Sequence, residues 1–159
     1  CWPGPKIMLN WSTFAGNEFA APLTKWRYFH NLYGIIQINN ALGLTAGFDI
    51  GMQQRTRHRA NYAVWYAPVL IVKVRTSDKL TIAARAEYYY DKEQVIIFTG
   101  TPNGFQTFGS SLNADFNFSR DLVWRVEVRG LQSRDPIFSK GSAQAYENFF
   151  VTTSLAIAI

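Results

Sequence analysis

Apolar and polar side chains alternate one by one along several segments of this sequence. Between residues 80 and 90 the even-numbered positions are apolar or aromatic, whereas the odd-numbered positions include Arg85 and Glu87. The same split recurs over residues 42–55 and 122–131. A period of two places successive side chains on opposite faces of a β-strand, while a helical period would scatter the charges around the axis. These segments are therefore predicted strands with one apolar and one charged face.

Turn-forming segments of two different lengths separate the predicted strands. Short polar turns are expected at 39–40, 76–78 and 119–121, and long connections at 15–23, 54–61, 91–103 and 132–146. The strands are expected at 6–14, 24–38, 41–53, 62–75, 79–90, 104–118, 122–132 and 147–159. Because short and long connections alternate, the order predicts an all-β, antiparallel up-and-down arrangement. The short turns and both chain termini are then expected at the same end of the sheet.

Strand length favours a membrane setting over a water-soluble one. A hydrophobic content of 48% and a mean hydropathy of -0.09 fit both settings, because averaging cancels an alternation. A strand over residues 80–90 extends about 33 Å at roughly 3.3 Å per residue, which at a tilt of about 40° covers the apolar band of an outer-membrane barrel. Aromatic residues lie near both strand ends, the levels of interfacial girdles. We therefore predict a transmembrane β-barrel of about eight strands in this chain, either complete or part of a larger barrel. A soluble ligand-binding barrel with its apolar face inside is the alternative.

The charged strand faces define the candidate functional residues. In a barrel with apolar residues outside, these charges would line the lumen, and neighbouring strands could pair them. An ionic lumen could pass small hydrophilic solutes, with Arg-rich stretches favouring anions. The alternative is a static salt-bridge network that fills a closed interior, as expected for an eight-stranded barrel. The predicted lumen-lining residues are Asp49, Arg55, Lys73, Arg75, Arg85, Glu87, Asp115, Arg125, Glu127 and Arg129.

A second cationic group lies in the connection at 54–61. It consists of Arg55, Arg57, His58 and Arg59, which could attract anionic solutes, bind lipopolysaccharide phosphates or form an ordinary solvated loop. The net charge of +5 would suggest nucleic acid as the partner of a soluble protein. Aromatic residues do not interleave with these arginines, however, so no nucleic-acid partner is expected.

Residues capable of catalysis or metal binding are few. Ser12 and His30 are the only nucleophile-and-base pair worth testing, and the alternation places them on opposite faces. The single cysteine, Cys1, forms no disulfide framework or CxxC motif. Residues 99–104 form a turn-rich cluster without the lysine of a phosphate-binding loop. We therefore expect no enzyme activity, no cofactor and no metal site.

Four stretches together resemble a known family. They are Leu42-Gly-Leu-Thr-Ala-Gly-Phe-Asp-Ile, Ala84-Arg-Ala-Glu-Tyr-Tyr-Tyr-Asp-Lys, Thr99-Gly-Thr-Pro-Asn-Gly-Phe-Gln-Thr and Trp124-Arg-Val-Glu-Val-Arg. In order and spacing they resemble the C-terminal part of porin-like outer-membrane β-barrels of Bacteroidetes-type bacteria, over about residues 5–159. The last predicted strand likewise resembles a C-terminal recognition strand of such proteins. The resemblance implies an outer-membrane barrel with no catalytic residues, in a family whose members are generally longer than this chain.

The functional hypothesis combines the alternation with this resemblance. Residues 1–159 are expected to form a single barrel domain, or the C-terminal portion of a larger barrel, in the bacterial outer membrane. The expected function is passive diffusion of small hydrophilic solutes or ions, with outer-membrane lipid and lipopolysaccharide as surroundings. A non-conducting barrel that docks a protein partner through its long extracellular loops is the alternative.

Overall fold

Long antiparallel strands make up most of the chain. The structure is a computed structural model that describes residues 6–17, 20, 23–56 and 59–157. In chain order the strands are β1 (Lys6–Asn17), β2 (Trp26–Gln37), β3 (Leu42–Gln54), β4 (Tyr62–Arg75), β5 (Leu80–Asp91), β6 (Phe105–Asn117), β7 (Leu122–Ser133), β8 (Phe138–Lys140), β9 (Ala143–Ala145) and β10 (Glu147–Ile157).

The eight long strands form one sheet in the order β1-β2-β3-β4-β5-β6-β7-β10, and every neighbouring pair is antiparallel. The short β8 and β9 pair separately as a hairpin. The predicted antiparallel up-and-down arrangement is therefore confirmed. The described strands leave the sheet open, with β1 at one edge and β10 at the other. No helix in the described part of the chain is long and apolar enough to cross a membrane.

Side-chain oxygens close the short turns between strands. Asn39 Oδ1 accepts the backbone N–H groups of Ala41 and Leu42 at 2.8 and 2.9 Å. Ser77 Oγ accepts the N–H of Lys79 at 3.2 Å, and Ser119 Oγ accepts the N–H of Asp121 at 3.2 Å in the next short turn. Asn and Ser favour turns because they can replace a backbone acceptor in this way. The three turns lie at one end of the sheet and the long connections at the other, as predicted.

The strand boundaries differ from the prediction in two places. β1 continues to Asn17 because its last residues still pair with the start of β2, so the loop predicted from residue 15 begins too early. The connection predicted over 132–146 contains the β8–β9 hairpin, whose turn includes Gly141 with φ +64°. Strands of three residues are too short to produce a readable alternation. Residues 18–19, 21–22 and 158–159 of the predicted elements lie outside the described residues.

Burial of the two sheet faces is inverted relative to a water-soluble sheet. We call the face that carries Arg85 the charged face and the opposite one the apolar face. Along β6, the small or polar Thr107, Gly109 and Ser111 of the charged face are buried, whereas the intervening Phe108 and Leu112 of the apolar face are exposed. The sheet therefore shelters its charged face and leaves its apolar face uncovered.

The central strands follow the same rule, whereas the edge strands β1 and β10 are largely exposed on both faces. The buried hydrophobic residues are Ala63 and Trp65, both 4% exposed, and both lie on the charged face. The apolar face exposes large side chains across its width, including Leu9, Leu32, Phe48, Leu70, Val72, Leu112, Trp124, Val128, Val151 and Leu155. This is opposite to the soluble alternative, which requires the apolar face to form the core. An uncovered apolar face of this size needs lipid or another apolar partner.

A charge placed on the apolar face tests whether that face meets lipid. We expect Leu112→Arg to destabilise the folded protein in bilayers by about 2–4 kcal/mol, as for a cation at the midplane of a membrane barrel. Asn113→Arg, the neighbouring position on the charged face, is the matched control and should be nearly neutral. The measurement is urea-induced unfolding of bilayer-inserted protein, followed by tryptophan fluorescence. Equal effects of the two substitutions would contradict the assignment of faces.

Candidate functional site

The strand register gathers the charged side chains of β5, β6 and β7 on one surface. Arg85 of β5 pairs with Ser111 of β6, which in turn pairs with Arg129 of β7. Residues paired in this way share a face of the sheet, and side chains two positions along a strand return to it. The predicted residues of these strands therefore lie together, as the alternation indicated.

Glu87 is the centre of an ion-paired group of three residues. Arg85 Nε donates to Glu87 Oε2 at 2.9 Å, and Arg129 forms a salt bridge with the other carboxylate oxygen, Oε1. Gly109 lies across from Glu87 on β6, and a Cβ at that glycine would approach Glu87 Oε1 to 2.8 Å. The glycine therefore provides the space that this carboxylate occupies. We call Arg85, Glu87 and Arg129 the charged triplet; its net charge is positive because one carboxylate serves two guanidinium groups.

A second ion pair lies nearer the short turns. Arg125 donates from Nε and Nη2 to the two carboxylate oxygens of Asp115, both at 2.6 Å. Two parallel bonds of this kind fix a guanidinium more firmly than a single contact. Glu127 lies on the same face and pairs in register with Asn113 of β6 and Thr152 of β10.

Asp49 and Arg55 lie near the long-loop end and differ in their placement. Asp49 is on β3 and accepts a hydrogen bond of 2.5 Å from Asn31 Nδ2 of β2. Arg55 comes one residue after β3 and forms a salt bridge of 3.0 Å with Glu93 in the β5–β6 loop. Asp49 therefore belongs to the wall of the charged face, and Arg55 to a contact between two long loops.

Lys73 and Arg75 occupy the short-turn end of β4. Both are exposed, and neither forms a salt bridge within the part of the chain that the structure describes. They line a groove of about 930 Å³ together with Lys6 of β1, and Asp78 contributes one carboxylate to it. This end of the charged face is consequently cationic.

The predicted cluster in the 54–61 connection is described only in part. Arg57 and His58 lie outside the described residues. Arg55 is paired with Glu93, and Arg59 is exposed. Whether the four side chains act as one anion-attracting group stays a prediction.

Asp91, at the end of β5, is a structurally decisive residue that the sequence reasoning missed. Its side chain is fully buried, and its two carboxylate oxygens accept the backbone N–H groups of Val95, Ile96 and Ile97 at 2.7–2.9 Å. Three charge-assisted bonds to consecutive N–H groups fix the first turn of the β5–β6 loop. The sequence feature that could have indicated this role is an aspartate at the junction between a predicted strand and a loop that contains Gly and Pro.

Trp65 is a second residue that was missed. It lies on the charged face of β4 directly across from Gly51, where a Cβ would approach the indole to 2.0 Å. The guanidinium carbon of Arg27 lies 5.6 Å from the centre of the Trp65 ring. A glycine in a strand often marks such a close approach, so Gly51 was the readable signal.

The β5–β6 loop, residues 92–104, is tied to the connection after β7. Asn103 donates to Asp135 from its backbone N–H and from its side-chain amide, both at 2.8 Å. These bonds lower the pKa of the Asp135 carboxyl below its ordinary value of 3.8. Together with the Arg55–Glu93 salt bridge, they hold the loop against both neighbouring connections.

The candidate enzyme residues do not meet. Ser12 lies on the charged face beside Asn31, whereas His30 lies on the apolar face, where Trp11 Nε1 donates to its Nδ1 at 3.4 Å. Among the described residues, no three His, Cys, Asp or Glu side chains are grouped so that they could hold a metal ion.

The fold and this site define an all-β, antiparallel up-and-down sheet protein with an exposed apolar face and an ion-paired charged face. Residues 2–159 match the sequence profile of the family described as "Putative beta-barrel porin-2, OmpL-like", and the chain belongs to this family. The porin-like resemblance is thereby confirmed, whereas the restriction to Bacteroidetes-type bacteria stays a prediction. Membership implies a bacterial outer-membrane location and a generally non-enzymatic role. Comparisons with curated proteins and with solved structures find no significant match.

Removal of the shared carboxylate tests the charged triplet. We expect Glu87→Gln to lower the free energy of unfolding by about 1–3 kcal/mol, because two half-buried guanidinium groups lose their common counter-charge. Asp115→Asn is the matched control, and it should cost less than about 1 kcal/mol because its partner Arg125 is largely exposed. Urea titration of the refolded protein in detergent micelles measures both. A larger loss for Asp115→Asn would contradict the central role of Glu87.

The Asn103–Asp135 contact predicts a pH dependence of the loop. A lowered pKa in the folded state stabilises the protein above the ordinary pKa, and this contribution disappears as the pH falls through the lowered value. We therefore expect the Asn103 backbone amide NMR shift to change with a midpoint below 3.8. Asp135→Asn should abolish this titration, and a midpoint at or above the ordinary value in the unsubstituted protein would argue against the contact.

Proposed function

We propose that this chain contributes to an outer-membrane channel for passive diffusion of small hydrophilic solutes, with a preference for anions. The observation that carries the proposal is the inverted burial of the sheet, in which the Glu87 ion pairs are half-buried, while Leu112 and other large apolar side chains of the opposite face are exposed. A membrane barrel needs an apolar outer face in contact with lipid and a polar inner face in contact with water. Membership of a porin-like family supports the same conclusion.

The anion preference follows from how the charges are paired. The predicted lumen-lining set has six cations and four carboxylates, so its formal charge is +2. The carboxylates of Glu87 and Asp115 are engaged by arginines, while Asp49, Glu127, Lys73 and Arg75 have no salt bridge within the described residues. Glu87 also leaves the charged triplet with excess positive charge. A path along this face therefore offers cations to a passing solute, which attracts anions and opposes cations.

Conduction requires a closed barrel, and the interior width depends on the number of strands. Eight strands enclose a space that side chains fill, while larger barrels leave an aqueous channel. We therefore favour the version in which residues 1–159 form part of a larger barrel over a single complete domain. Outer-membrane lipid would contact the apolar face, and Arg55 and Arg59 would lie near lipopolysaccharide phosphates at the long-loop end.

Planar-bilayer recordings test the channel and its selectivity. The protein should give discrete conductance steps, and the reversal potential in a salt gradient should indicate anion preference. Lys73→Glu should shift the reversal potential toward cation selectivity, because it replaces an unpaired lumen cation with an anion. Lys79→Glu is the matched control: it makes the same charge change in a neighbouring short turn, and it should shift the potential less. Absence of conductance from folded, inserted protein would overturn the proposal.

A non-conducting barrel that docks a protein partner is the second candidate. The observation that favours it is the β5–β6 loop, which presents Phe98 at 83% exposure on a segment held by hydrogen bonds. Fixed and exposed aromatic side chains are typical anchors of interfaces. Folded protein that inserts without conducting, and that loses a binding partner on Phe98→Ala, would favour this candidate instead.

A further inference from the structure

The β5–β6 loop partly covers a cavity on the charged face. The cavity has a volume of about 340 Å³, and Ile97 of the loop lines it together with residues of β3 to β7. Small-molecule pockets commonly measure roughly 300–1,000 Å³, so this space fits a compact ligand. The loop therefore does more than connect two strands, because it adds a wall to one part of the sheet face.

The walls of the cavity combine two kinds of surface. Most of the lining is apolar and includes Val69, Leu131 and an aromatic pair, Tyr89 and Phe105, whose rings meet edge to face at 5.4 Å. The charged triplet and Asp49 form the polar side, which therefore has two guanidinium groups and two carboxylates. Asp49 accepts a hydrogen bond from Asn31 outside the cavity lining. Each guanidinium has five N–H donors, and the contacts with Glu87 use only some of them. Donors therefore remain for an additional anionic group.

The roof of the cavity is fixed in the absence of any ligand. The Asp91 carboxylate holds the N–H groups of residues 95–97, which places Ile97 over the charged face. The Arg55–Glu93 and Asn103–Asp135 contacts restrain the loop from both sides. A preformed site spends little free energy on ordering when a ligand binds.

We propose that this cavity is a recognition site for small amphipathic anions, each with one carboxylate and a compact aromatic or branched apolar body. The carboxylate meets the spare donors of Arg85 and Arg129. The apolar body packs against Tyr89, Phe105 and the loop residue Ile97. The site rests on the proposed function, since it would select solutes that travel along the charged face.

Calorimetric titration of the refolded full chain in detergent micelles tests the site without requiring conduction. The probes are benzoate, acetate, which lacks the apolar body, and benzyl alcohol, which lacks the charge. Benzoate should bind at least tenfold more tightly than acetate or benzyl alcohol, because only benzoate has both a carboxylate for the arginines and a ring for the apolar wall. Equal affinities for the three probes, or no benzoate binding, would overturn the proposal.

Substitutions then locate the binding. Arg129→Gln and Ile97→Ala should each weaken benzoate binding, by roughly tenfold for the arginine, which makes a charge-assisted bond. Ile97→Ala removes an apolar contact with the ring. Arg120→Gln removes a cation from a short turn outside the cavity and should leave the affinity unchanged. Heat-modifiable gel mobility confirms that each variant is folded, and Ile97→Ala decides the question if Arg129→Gln fails to fold. Unchanged affinity in the folded cavity variants would overturn the assignment.

Bilayer recordings separate this inference from the proposed function. Benzoate binding without conductance would retain the site and reject the channel. Conductance without benzoate binding would retain the channel and reject the site.

Discussion

The rest of the structure depends on the fact that one sheet has no second layer to cover its apolar face. Water-soluble domains bury such a face against another sheet or a helix. Here the exposed Leu112 and Val128 contact no covering element of the described chain, while Gly109 and Ser111 are buried behind them. The hydrophobic effect therefore favours transfer of the apolar face into lipid, and the charged face is left to be stabilised by its own contacts.

The ion pairs of the charged face reduce the electrostatic repulsion between its arginines. The guanidinium groups of Arg85 and Arg129 meet at one carboxylate, Glu87, and Arg125 pairs with Asp115, so that both carboxylates reduce the repulsion between cations. Two glycines make room for this: Gly109 accommodates the Glu87 carboxylate, and Gly51 accommodates the Trp65 ring. Rigidity at the long-loop end comes instead from Asp91, whose buried carboxylate fixes the loop that partly covers the candidate solute site.

Sequence alone predicted what depends on neighbours along the chain. The alternation located β4 at residues 62–75 and placed Arg85, Asp115 and Arg125 on one face, because a strand repeats every two residues. The alternation did not predict the features that depend on strand register and on contacts between residues far apart in the sequence. Trp65 over Gly51 and Asn103 against Asp135 join residues far apart in sequence, and no local pattern reveals which loop folds over which face.

The open edges of the sheet place a condition on any membrane-inserted form. An unpaired strand edge in hydrocarbon leaves backbone N–H and C=O groups without partners, at a cost of several kcal/mol for each group. The outer edges of β1 and β10 must therefore be paired in lipid. β1 runs away from the short-turn end and β10 runs toward it, so the two strands are antiparallel. These two strands can pair directly with each other, which closes a barrel of eight strands. Alternatively, an even number of further up-and-down strands can lie between them. Only the second arrangement gives a barrel whose interior is wider than that of an eight-stranded barrel.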